Sequence, residues 1–203
     1  WNDDHALVKA EFPTSIFADR AWYGTQFGAQ SRSIHCNTSW DRARFEVQAQ
    51  RFADISEAGY GTAILADAKY GYGIHDGLMM LSLLKSGTYP AVSADHGVHS
   101  FSYSFFPHPG DWRTGGVERE AEAASASVYI AEGLSGESSF IRVPENIAIS
   151  CIKRSEDGKS VIVRLYENQG KRTRATVFFS RSYRIMRTNI LEEQREELSS
   201  SSD

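Results

Sequence analysis

The sequence predicts an all-β, antiparallel, sandwich-like protein. Short segments rich in aromatic and β-branched residues recur along it, Asp-Gly pairs sit between such segments, and no βαβ alternation interrupts them. The first strands are read from Leu7-Val8-Lys9-Ala10-Glu11-Phe12, Ala21-Trp22-Tyr23-Gly24-Thr25-Gln26-Phe27 and Arg44-Phe45-Glu46-Val47. Asp76-Gly77 joins strand-like 70–75 to 78–84, the strongest short-range hairpin signal a sequence offers. Phe101-Ser102-Tyr103-Ser104-Phe105 alternates cleanly, so three rings share one face and two serines the other. One short helix is predicted over 117–126, after Gly115-Gly116 and rich in Glu and Ala. Asp157-Gly158 then joins 147–152 to 161–166, and Arg174-Ala175-Thr176-Val177-Phe178-Phe179 reads as a further strand.

Composition narrows the function classes. The 203 residues are 41% hydrophobic and 24% charged, with 16 Gly and 5 Pro, which excludes disordered and collagen-like chains. No apolar run approaches the roughly 20 residues of a membrane helix. The net charge of −4 argues against general nucleic-acid binding. The charge is uneven: acidic to residue 145, basic over 146–190, acidic again from 191. The basic stretch is either a site for an anionic partner or a solvated face beside an acidic neighbour. With the sign change, Pro144-Glu145-Asn146 marks the expected boundary: a β-domain over 1–145, a small lobe over 146–196 and a flexible tail over 197–203. The opening at Trp1, with strand-like sequence at once, predicts a piece of something longer. Cys36 and Cys151, far apart and without a CxxC pattern, imply neither a disulfide framework nor a zinc knuckle.

Three kinds of chemistry are open. His96 and His99, with His108 later, form a metal set only if Gly97 turns the chain, because positions three apart in a strand face opposite ways. Glycoside hydrolysis needs two flanking carboxyls. Asp41, Glu46, Asp67, Asp76, Asp95 and Asp111 are all candidates, but spacing selects no pair. Aromatics beside polar groups suit the apolar face and hydroxyl rim of a sugar. Such settings are Trp40 in Asn37-Thr38-Ser39-Trp40-Asp41 and the tyrosines of Lys69-Tyr70-Gly71-Tyr72-Gly73-Ile74-His75. The same residues also read as rings capping a sandwich edge. No GxSxG elbow, Walker loop or HExxH motif occurs.

Several ordered motifs together resemble the C-terminal β region of glycoside hydrolase family 38 α-mannosidases, in the cytosolic/vacuolar and bacterial branch. They are His35-Cys36-Asn37-Thr38-Ser39-Trp40-Asp41-Arg42-Ala43-Arg44-Phe45-Glu46-Val47, Asp54-Ile55-Ser56-Glu57-Ala58-Gly59-Tyr60-Gly61 and Asp67-Ala68-Lys69-Tyr70-Gly71-Tyr72. Ala94-Asp95-His96-Gly97-Val98-His99-Ser100-Phe101, Gly110-Asp111-Trp112 and Thr188-Asn189-Ile190-Leu191-Glu192-Glu193 continue the series.

The resemblance implies a galactose-mutarotase-like supersandwich followed by a smaller β-sandwich lobe. It also implies part of a retaining, zinc-dependent α-mannosidase, cytoplasmic or, in a fungal source, vacuolar. Its partners are then the N-terminal catalytic barrel of the same polypeptide and a mannoside, with neither nucleic acid nor membrane, and homo-oligomers are allowed. The family's nucleophile, acid and zinc ligands belong to the barrel, so no catalytic residue and no metal site is expected here. The residues expected to touch sugar are Trp40, Asp41, Lys69, Tyr72 and Lys85. Lys85 stands where the family has Arg, and Lys cannot reproduce a bidentate Arg contact. The alternative reading is a free-standing carbohydrate-binding module of the same fold.

Overall fold

The computed structural model describes residues 1–130, 132–133, 139–193 and 195–198. They fall into two compact units, Trp1–Tyr129 and Ile130–Asp203. The strands are antiparallel throughout both.

The first unit contains β1 (Leu7–Pro13), β2 (Arg20–Thr25), β3 (Gly28–Ser33), α1 (Ser39–Ala43), β4 (Val47–Gln48) and β5 (Arg51–Glu57). It continues with β6 (Tyr60–Ala66), β7 (Gly71–His75), β8 (Leu78–Lys85), β9 (Tyr103–Pro109) and α2 (Val117–Ser125). Two sheets result, one ordered β1-β8-β7-β4 and the other β3-β2-β5-β6-β9. The predicted hairpin at Asp76-Gly77 is the β7–β8 turn. Both residues have positive φ, 53° and 73°, as a two-residue turn matched to strand twist requires.

Alternation along the strands explains why the five-stranded sheet reads as almost continuously apolar. Ala53 and Ile55 of β5 and Ile64 and Ala66 of β6 point to the space between the sheets. There they meet Tyr72, Ile74, Met79 and Leu81 of the other sheet. The alternate residues Phe52, Ala63 and Leu65 point the other way and pack under Trp112, Val117 and Ala121. Helix α2 therefore supplies a third layer, which buries a sheet on both faces. Its capping residue, Gly116, has φ 68° and gives α2 no side-chain bond.

The structure shortens or moves several predicted strands. Over 44–47 only Val47 joins a ladder. Thr38 instead caps α1: its Oγ1 accepts from the Asp41 amide at 3.1 Å, and the Asp41 carboxylate accepts from the Thr38 amide at 3.1 Å. The strand expected at 101–105 begins at Tyr103 and runs on through two prolines to Pro109.

The second unit is thinner. β11 (Ile147–Arg154) and β12 (Val161–Glu167) form the hairpin expected around Asp157-Gly158. β10 (Ile141–Arg142) pairs with β13 (Phe178–Phe179), and β14 (Met186–Arg187) with β15 (Glu196–Glu197). The strand predicted over 174–179 thus shrinks to its last two residues. Phe140, Phe179 and Tyr183 make a small edge-to-face cluster with centroids 5.8–5.9 Å apart. Much of the basic excess is answered inside this unit. Arg184 pairs with Glu197 at 2.9 Å and Arg187 with Glu196 at 2.5 Å, while Lys153 reaches the buried Glu192 at 2.8 Å.

Candidate functional site

The five residues expected to touch sugar fall into two groups. Trp40 and Asp41 are neighbours on α1, and Asp41 and Tyr72 line one hollow of about 130 Å³. Lys69, in the loop between β6 and β7, and Lys85, the last residue of β8, meet at the end of β8. The Lys69 ammonium donates to the Leu83 carbonyl at 2.6 Å and lies 4.4 Å above the Phe101 ring. Lys85 is exposed at the last position of β8, and its amide donates to the Asp95 carboxylate at 2.8 Å. Lys69 is thus held in place, whereas the Lys85 side chain reaches into solvent.

The hollow lies between the sheets, where β3 and β7 flank the loop that carries α1. A second hollow, of about 250 Å³, shares Ile34, His35, Ile74, His75 and Asp76 with it. Each alone is smaller than the roughly 300–1,000 Å³ of ordinary small-molecule sites. Its rim is polar, with Asp41, Arg44 and His35, and its floor is apolar. Tyr72 is fully buried, and its hydroxyl has no hydrogen-bond partner among the described residues. Burial pushes the Tyr72 phenol up and carries Tyr23 to about 12, Arg32 offsetting part of the latter. Trp40 is 83% exposed beside this rim, a free ring face of the kind that suits a sugar.

Asp41 is committed to its own loop. Its carboxylate accepts from the Thr38 hydroxyl and amide, pairs with Arg44, and stands 3.5 Å from His35. Hydrogen bonds from Thr38 are the main cause holding its carboxyl below the usual range, with His35 and Arg44 adding to them. A carboxylate so stabilised is a hydrogen-bond acceptor rather than a proton donor at neutral pH.

The three histidines weighed as metal ligands do not converge. His96 Nε2 meets Asp4 at 2.8 Å, and His99 Nε2 meets the Asp95 carbonyl at 2.8 Å. His108 is buried against Asp54. Among the described residues no group of three His, Cys, Asp or Glu stands together as a metal site.

Sequence reasoning missed the Asp54–His108 pair itself. His108 Nε2 lies 2.6 Å from Asp54 Oδ2, and both side chains are wholly buried. Ser56 donates to the other carboxylate oxygen. On Gly61, between Asp54 and His108 in the sheet, a Cβ would stand 2.4 Å from the imidazole. On Gly115 it would stand 2.2 Å from it. The imidazole thus crosses the middle strand only because that strand carries no side chain there. The one signal available was a lone Asp inside the apolar run 52–55.

Two family models match the chain. "Glycosyl hydrolases family 38 C-terminal domain" covers residues 1–93, and "Glycosyl hydrolases family 38 C-terminal beta sandwich domain" covers 146–203. The chain belongs to glycosyl hydrolase family 38. It represents the family's C-terminal region. "Alpha-mannosidase G" of Dictyostelium discoideum is 39% identical over 181 residues, 85% of this chain. "Alpha-mannosidase 2C1" of Homo sapiens is 36% identical over 178 residues, 84% of this chain. The chain spans only 17% of the length of either relative. A crystal structure of an α-mannosidase from Enterococcus faecalis shares the fold, with TM-score 0.76 at 17% identity over 92% of this chain and 23% of that one. An all-β C-terminal region of family 38 is thus what the sequence motifs anticipated.

Proposed function

We propose that this chain is the C-terminal β portion of a retaining, zinc-dependent enzyme that hydrolyses terminal α-mannosides, inactive by itself. One observation carries the reading: relatives named as α-mannosidases match most of this chain, yet are about five times as long. The nucleophile, the acid/base carboxyl and the zinc then belong to the part of the polypeptide outside this chain. Here the sheets brace that catalytic barrel, and the α1 loop contributes to the rim of the sugar pocket. Trp40 offers the ring face and Asp41 an acceptor for a sugar hydroxyl. Lys85 offers a free cation, while Lys69 and Tyr72 act from behind, by holding β8 and the floor of the hollow. The enzyme works in the cytoplasm, or in the vacuole of a fungal source.

The deciding experiment is to purify the native polypeptide that contains these residues, measure its mass and assay it with an aryl α-mannoside. The expected result is a chain several times longer than 203 residues with mannosidase activity, whose Trp40→Ala variant has a raised KM or lowered kcat. A native product of about this size sinks the hydrolase reading. Unchanged kinetics in the variant remove Trp40 from the pocket.

A further inference from the structure

Arg32 carries a charge into the space between the sheets. It lies on β3, an edge strand, directly opposite Ala21 of β2. Opposed residues of an antiparallel pair share a face, and Ala21 belongs to the core between the sheets. The Arg32 Nη2 donates to Gln30 Oε1 at 3.1 Å. Its Nε is buried and has no hydrogen-bond partner among the described residues. Arg44, Arg51, Arg113 and Arg119 of the same unit each pair with a described carboxylate, and none pairs with Arg32. An inward charge discourages pairing at a sheet edge. That purpose does not require a buried, unpartnered N–H, which is costly.

The hollow of about 130 Å³ is lined by Arg32 and, from the opposite sheet, by Tyr72. Tyr72 is 0% exposed, and its hydroxyl, like the Arg32 Nε, has no partner among the described residues. Burial pushes this phenol up, so it remains an O–H donor at neutral pH. Tyr23 adds a second phenol to the wall, likewise held protonated by burial. The nearby carboxylates are already committed. Asp41 accepts from Thr38 and pairs with Arg44, while the Asp76 side chain is 83% exposed beside His75. Donors thus outnumber acceptors around a guanidinium that no carboxylate answers.

We propose that the floor of this hollow is a site for one tetrahedral oxyanion of the phosphate or sulfate class, held by the Arg32 Nε–H and the Tyr72 hydroxyl. Water answers the imbalance poorly: a water accepting from Arg32 brings two hydrogens of its own into a lining already rich in donors. An oxyanion brings acceptors alone, and its charge offsets that of the guanidinium. The volume suits a single compact ion rather than an organic ligand, whose sites start at roughly 300 Å³. The inference does not rest on the hydrolase reading, because its test reads anion binding and not turnover.

Inorganic phosphate titrated into the native-length polypeptide, with ionic strength held constant by sodium chloride, tests this by calorimetry and by Tm. The expected result is saturable binding below about 10 mM phosphate, with sulfate competing and with a Tm that rises as a ligand of the folded state requires. Arg32→Gln is expected to weaken that binding at least ~10-fold, because the charge and its hydrogen bond are lost together. Tyr72→Phe keeps the ring and its packing, and is expected to weaken binding ~3-fold or more. It carries the test where Arg32→Gln does not fold. No saturable phosphate binding overturns the proposal. So does binding that neither substitution weakens, because the ion then sits elsewhere in the polypeptide. An equal rise in Tm with sodium chloride alone overturns it as well, since that is general screening of charge.

Discussion

Two aspartates of the first unit have nearly the same partners and opposite chemistry. Asp54 has a histidine and a serine hydroxyl; Asp41 has a histidine and a threonine hydroxyl, with Arg44 added. Burial, as the dominant cause, pushes the Asp54 carboxyl up, against the pull of His108 and Ser56. At Asp41 the hydrogen bonds from Thr38 dominate, and the carboxyl is pushed down. The kind of side-chain partner alone therefore does not set the role of a carboxylate; the balance between its burial and the hydrogen bonds it accepts does. The His108 nitrogens both face acceptors, Asp54 Oδ2 and, at 3.3 Å, the Pro109 carbonyl. The pair accordingly keeps one proton between them, and His108 is raised: burial opposes this, but Asp54 overcomes it. One aspartate is a sealed clasp beneath α2, and the other holds an exposed indole in place.

The clasp carries the larger effect. His108→Ala leaves Asp54 buried without its cation and is expected to cost about 3–5 kcal/mol in a denaturant melt. A loss under 1 kcal/mol would show that the site relaxes to admit water. Gly61→Ala probes the same clasp from the middle strand and is expected to cost about 1–3 kcal/mol, because the new methyl meets the imidazole and Ser56 at once. The pH dependence has a definite sign. His108 is raised above its ordinary 6.5, so its contribution is full below that value and is lost as pH rises through the folded value. Asp54→Asn removes the charge that raises it. The gap in Tm between wild type and Asp54→Asn should therefore be widest below about pH 6.5 and narrow above it. A gap that widens with rising pH contradicts the assignment.

How much of this was legible follows the same division. The Asp76-Gly77 and Asp157-Gly158 hairpins and α2 could be read because local chemistry fixes them: positive φ in the first turn, helix formers in α2. The apolar alternation of 52–55 and 60–66 showed strands, but not which face would receive a helix, since Trp112 and Val117 lie some 50 residues away. His108 was visible as a histidine and invisible as a clasp. Its partner is 54 positions off, and the space for it comes from Gly61, which in sequence resembles any turn glycine. Of the sugar-facing candidates, Trp40 and Asp41 were adjacent by sequence alone. Tyr72 joined them only once the two sheets were stacked, and Lys69 turned out to be spent on Leu83. The α1 capping box is also present in the letters, as Thr38 with Asp41 three residues on, but the helix it opens has only five residues, too few to show a helical period.

Asp41, the other member of the comparison, gives the smallest effect and the most specific one. Thr38→Ala removes the hydroxyl that caps α1 and holds Asp41, and a lost cap costs about 1 kcal/mol. The pH limb is the reverse of the clasp's. Because the folded value of Asp41 lies below its ordinary 3.8, its contribution is present above 3.8 and lost as pH falls through the lowered value. Thr38 is the principal cause of that lowering, so the difference in Tm between wild type and Thr38→Ala should stay level from pH 7 to about pH 4 and shrink below it. A difference that is constant down to pH 2.5 would mean that the threonine acts through its backbone fit alone. On the proposed mannosidase function, the same variant in the native-length polypeptide separates holding from touching. If Thr38 only positions Trp40, the loss appears in KM for a mannoside and is no greater than that of Trp40→Ala, and adding it to Trp40→Ala changes nothing further.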